Sequence, residues 1–89
     1  MRSYAQLNAR IPGMTAQLSD QILAVFRVVL KNPAMSAEDD FFESGGDSTA
    51  AVDAASMINQ QTGVAVPIAQ MFIYPTAEEL AEALSSLSA

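Results

Sequence analysis

An all-α fold, a small four-helix bundle with a long loop between its first two helices, is the architecture this sequence predicts. Three observations point to it. Alanine is abundant in a chain that is 51% apolar, and alanine is the strongest helix former. Apolar side chains recur at helical spacing in separate runs. Proline, glycine and cap-forming residues fall where those runs start and stop. At 89 residues there is room for one small domain, so nearly every large apolar side chain must serve a single core. Charged residues make up 16%, too few for an acidic disordered tail.

Residues 1–14 contain Ile11-Pro12-Gly13 without periodic pattern and read as a flexible leader or linker. The domain then occupies residues 15–89. The first helix is expected to begin near Thr15 or Ser19, either of which can cap free amides. Leu18, Ile22, Val25, Phe26 and Val29 form its apolar stripe. Asn32-Pro33 should end it, because proline disfavours helical geometry in the residue before it. Residues 33–47 make an unusually long connection, and long loops in small domains tend to be functional. Phe41 and Phe42 are expected to pin this loop to the core.

Gly45-Gly46 permits backbone angles closed to other residues, and Asp47 or Ser48 can cap a second helix running to about Thr62. Gly63 is a common left-handed terminator. Val64-Ala65-Val66 has strand character, but Pro67 suits the first turn of a short helix, which Pro75 limits to one or two turns. Thr76 and Glu79 have capping-box spacing, and Leu80, Leu84 and Leu87 line the last helix.

The charge pattern narrows the function classes. All four cations, Arg2, Arg10, Arg27 and Lys31, precede residue 32, whereas nine carboxylates follow it. Phosphate contacts need Lys and Arg, so nucleic acid is a poor fit and a partner with a basic docking surface a good one. The longest apolar run is about five residues, too short to span a membrane, and the start lacks the apolar core of a secretory signal. A cytoplasmic protein is the expectation. The cluster Glu38, Asp39, Asp40, Glu43 and Asp47 lacks the alternating ligand spacing and central glycine of a calcium loop. It reads as a solvated face rather than a metal site.

The stretch "DDFFESGGDST" presents Ser48 behind two glycines. A hydrolytic serine needs a base, normally histidine, and the chain has neither histidine nor cysteine. Ser48 is therefore a better substrate than catalyst: another enzyme would activate its hydroxyl and attach a group. Paired glycines keep bulk away from it, and a helix start offers free amides and a positive dipole end that favour a phosphate ester.

"DDFFESGGDS", about fifteen helical residues to Gly63, Pro67, and then "YPTAEELAEAL" together resemble the peptidyl carrier (thiolation) domains of nonribosomal peptide synthetases. The resemblance covers roughly residues 18–87. It implies an acyl-carrier-protein-like fold, a monomer without catalysis of its own, and 4′-phosphopantetheine attached to Ser48 from coenzyme A by a phosphopantetheinyl transferase. Gly45, Gly46, Asp47 and Thr49 would flank the modified serine. Adenylation, condensation or tailoring domains would be the partners. The thiol of the arm would hold aminoacyl or peptidyl groups as thioesters, which suits a chain with no sulfhydryl of its own.

The sequence departs from the pattern where partners would dock. Ser44 and Thr49 stand where leucine is usual, and the second helix carries Asp53 and no cation. Ile73 stands where family members usually have a polar residue. Val52, Met71, Ile73 and Tyr74 are the docking candidates, with Met71, Ile73 and Tyr74 expected to form an apolar patch near Ser48. The competing reading folds Ile73 into the core. Two other functions fit less well. An acyl carrier of polyketide or fatty-acid synthesis more often shows a single Asp-Ser-Leu, and an unmodified helical interaction domain would use Phe41, Phe42 and the glycines only to shape a loop.

Overall fold

The computed structural model describes residues 12–88, which form α1 (Pro12–Leu30), α2 (Ser48–Thr62), α3 (Ile68–Ile73) and α4 (Ala77–Ser88). Three longer helices and one short one appear in the expected order, with no strand among the described residues. α1 packs against α2 and α4, and α3 bridges α2 and α4. Phe26, Phe41, Ile58, Met71, Leu80 and Leu84 fill the core. Ala51, Ala54, Ala77 and Ala81 are also fully buried, and their small side chains let helix backbones approach closely.

Both ends of α1 differ from expectation. The helix includes Pro12, so Thr15 and Ser19 lie inside it rather than at its start. Proline's fixed φ suits a first turn, where its missing N–H costs no hydrogen bond. Residues 1–11 of the expected leader lie outside the described residues, and 12–14 are helical. At the other end, Lys31 adopts φ 54°. Its amide donates to the Val28 carbonyl at 3.2 Å, and the Asn32 amide donates to the Arg27 carbonyl at 2.9 Å. This crossed pair is a Schellman closure, so α1 stops at Leu30, before Pro33 is reached.

The connection from α1 to α2 is held at several points. Arg27 Nε donates to the Met35 carbonyl at 2.8 Å, and the Met35 side chain is buried. The Glu78 amide donates to the Ala37 carbonyl at 3.1 Å, which ties the loop to the first turn of α4. Thr76 caps that helix: its Oγ1 accepts from the Glu79 amide at 3.1 Å. The return contact differs from the expected capping box, because Glu79 Oε1 accepts from the Thr76 hydroxyl at 3.2 Å. Leu80 and Leu84 face inward as expected, while the Leu87 side chain lies outside the described residues.

Lys31 is the only non-glycine residue with positive φ among those described. A side chain in that region costs roughly 1–2 kcal/mol, partly offset by the extra freedom glycine brings to the unfolded chain. Lys31→Gly should therefore stabilise the domain by about 0.5–1 kcal/mol, read as a higher urea midpoint at unchanged slope.

Candidate functional site at the start of the second helix

The loop before α2 is organised by its own carboxylates and by one buried ring. Asp40 Oδ1 accepts from the amides of Phe42 at 2.8 Å and Glu43 at 3.0 Å. Asp39 Oδ2 accepts from the Ser36 amide at 2.8 Å. Asp47 takes the N-cap position of α2, and its Oδ1 accepts from the Ala50 amide at 2.8 Å. Three of the five acidic residues thus satisfy loop and helix amides that would otherwise lack partners. Glu38 and Glu43 are exposed. The described residues contain no cluster able to hold a metal ion.

Phe41 has no exposed surface. Its ring centroid lies 4.7 Å from that of Phe26 on α1, and its amide donates to the Pro75 carbonyl at 2.8 Å. Its other side is filled by Gly46, whose amide donates to the Phe41 carbonyl at 3.0 Å. A Cβ added at Gly46 would sit 2.8 Å from that carbonyl oxygen and collide with the ring as well. Gly45 serves a separate need, with φ 113° and open space around it. One glycine supplies the turn and the other the close approach.

Ser48 is the first residue of α2 and is exposed, as are Asp47 and Thr49. Because Asp47 provides the cap, the Ser48 hydroxyl is not spent on the helix. A helical Cβ tilts toward the N-terminus, so the hydroxyl projects from the end of α2 where unpaired amides and the positive dipole end lie.

The docking candidates separate. Met71 is fully buried, so it does not belong to any surface patch. On a helix as short as α3 one side packs inward, and Met71 takes that position between α2 and α4. Ile73 is 60% exposed, which excludes its folding into the core. Val52 and Tyr74 are exposed too. Two further exposed apolar residues, Ile68 and Phe72, share one face of α3 at four-residue spacing. Sequence reasoning passed over both, although that spacing was there to be read.

The family model for the phosphopantetheine attachment site matches residues 20–84. The chain belongs to that family. It is 34% identical to an indigoidine synthase of Dickeya dadantii over 90 residues, covering 96% of this chain and 6% of that protein. Among solved structures, the McyG A-PCP complexed with phenylalanyl-adenylate is 32% identical with a TM-score of 0.70, covering 76% of this chain and 11% of that one. BlmI, a type-II acyl-carrier protein from Streptomyces verticillus, superposes with a TM-score of 0.81 at 15% identity, covering 88% and 94%, and this likeness speaks to fold alone. The resemblance to peptidyl carrier domains therefore holds, with the all-α carrier fold and with 4′-phosphopantetheine as the family's covalent cofactor.

The residues at the start of α2 fit that group. Ser48 is exposed at a helix N-terminus, and Gly45 three residues before it has nothing within 4 Å of where its Cβ would be, a setting that suits a phosphate ester. When attached, the group supplies the thiol this carrier domain lacks. Gly46→Ala should cost about 1–3 kcal/mol, the usual penalty for forcing atoms into a filled site, measured by urea denaturation. Gly45→Ala should cost about 1–2 kcal/mol from its backbone angle alone.

Proposed function

We propose that Ser48 is the attachment point of 4′-phosphopantetheine. The domain would then carry aminoacyl or peptidyl groups as thioesters between catalytic domains of nonribosomal peptide biosynthesis. The observation that carries this reading is the exposed Ser48 hydroxyl at the first position of α2, left free by the Asp47 cap. In the loading reaction, Ser48 Oγ attacks the pantetheine-side phosphorus of the coenzyme A pyrophosphate. An O–P bond forms, the phosphoanhydride bond breaks, and adenosine 3′,5′-bisphosphate leaves. The proton from Oγ goes to a base on the transferase, since this chain has no histidine. Asp47 holds the end of α2 in register, Gly46 seats the backbone before it against Phe41, and the open surroundings of Gly45 leave space for the transferase.

The chain itself performs no turnover in this scheme; it is the substrate of a phosphopantetheinyl transferase. Similarity to a structure that joins an adenylation domain to a carrier domain supports an adenylation domain as loading partner and an amino acid as cargo. Val52, Ile73 and Tyr74 offer apolar surface for docking, and the shortage of cations after residue 32 favours partners with basic rims. No helix among the described residues is long and apolar enough to cross a membrane, in keeping with a carrier that meets its partners in the cytoplasm.

Incubation with coenzyme A and a promiscuous transferase should add the mass of one phosphopantetheine to the intact protein, and Ser48→Ala should add none. An unmodified wild-type protein would favour an interaction domain instead. Ile73→Glu should raise the KM of an adenylation-domain partner for the loaded carrier by about tenfold, the scale of a lost apolar anchor. Melting should stay unchanged, because Ile73 lies outside the core.

A further inference from the structure

We propose that Phe72 is a positioning residue for Ser48, acting through a ladder of aromatic rings; the proposal rests on the assignment of Ser48 as the loading site. Phe72 on α3 is 51% exposed, so burial alone does not account for its role. Its ring lies flat against that of Phe42 in the loop, with centroids 4.9 Å apart and planes 9° from parallel. Phe42 meets Phe41 edge-on at 5.2 Å and 83°. Phe41 in turn packs its ring and carbonyl against Gly46, two residues before Ser48. The series Phe72, Phe42, Phe41 and Gly46 is thus an unbroken line of contact from the surface of α3 to the backbone that launches α2.

A second connection runs alongside the first. The Phe41 amide is held by the Pro75 carbonyl, and the Tyr74 amide closes α3 onto the Gln70 carbonyl at 2.8 Å. The loop therefore meets residues 72–75 at two adjacent points, the Phe41 amide on the Pro75 carbonyl and the Phe42 ring on that of Phe72. Phe42 itself is only half-buried, and its ring has two aromatic contacts, Phe41 edge-on and Phe72 face-on, so loss of Phe72 removes one of the two. Released, Phe42 would let the loop sample other orientations, and Ser48 would reach attacking geometry in a smaller fraction of encounters. Loading would slow while the surface recognised by the transferase stayed the same.

The test compares loading kinetics of Phe72→Leu, Phe42→Leu, the double variant and Phe72→Tyr. Coenzyme A and one promiscuous transferase are used, at a temperature where circular dichroism shows each protein fully folded. Each single leucine variant should lower kcat about three- to tenfold, the range one aromatic pair can supply, with KM for the carrier within about twofold. The double variant should fall no further than the worse single one, because both break the same contact. Phe72→Tyr keeps the stacked ring and should load at the wild-type rate. A raised KM in Phe72→Leu with Phe42→Leu silent would make Phe72 a direct docking contact and overturn the proposal. Additive losses, or no loss in either single variant, would overturn it as well. Failure of the wild type to load would instead remove the assignment of Ser48, and the positioning role with it.

Discussion

Phe41 and Gly46 occupy one volume between them, and the placement of Ser48 follows from that close approach. A long connection without regular structure would ordinarily wander, since each of its residues carries backbone entropy that folding must overcome. Here a single phenylalanine with no exposed surface reaches α1 through its ring on Phe26, the α3–α4 junction through its backbone amide, and the start of α2 through Gly46. Three parts of the bundle meet at one residue. The loop can then hold a serine at a fixed point while keeping the serine itself in solvent.

The loop's carboxylates complete this arrangement. Asp39, Asp40 and Asp47 each accept from backbone amides nearby, and so replace the regular ladder that a loop lacks. Their charge also leaves the approach to Ser48 acidic, with Glu38 and Glu43 exposed beside them. One set of side chains therefore serves the local backbone and sets the charge around the start of α2.

Much of the fold was legible in the sequence, because local rules and global packing agree. Asp47, Gly63 and Thr76 mark helix ends through interactions within three or four residues, which need no knowledge of the rest of the chain. The start of α1 was harder to read, since Thr15 and Ser19 have cap chemistry but sit inside a helix that includes Pro12. Its end was harder still. A lysine in the left-handed region breaks the usual preference for glycine, and the crossed hydrogen bonds that justify it are invisible before the chain is folded.

For the candidate site, the sequence by itself determined the chemistry: one serine behind two glycines, an aspartate to cap the helix, and no thiol or imidazole anywhere. Those features depend on residue type and short spacing, which a linear chain displays in full. Which apolar side chains reach the surface was decided only by tertiary structure. Met71 and Ile73 are two residues apart on one short helix and look equally suited to either fate, yet one is buried and the other is 60% exposed. The packing of α3 between α2 and α4 chooses between them. The stacking of Phe72 on Phe42 likewise joins residues thirty positions apart, a contact that exists only after the helices have met.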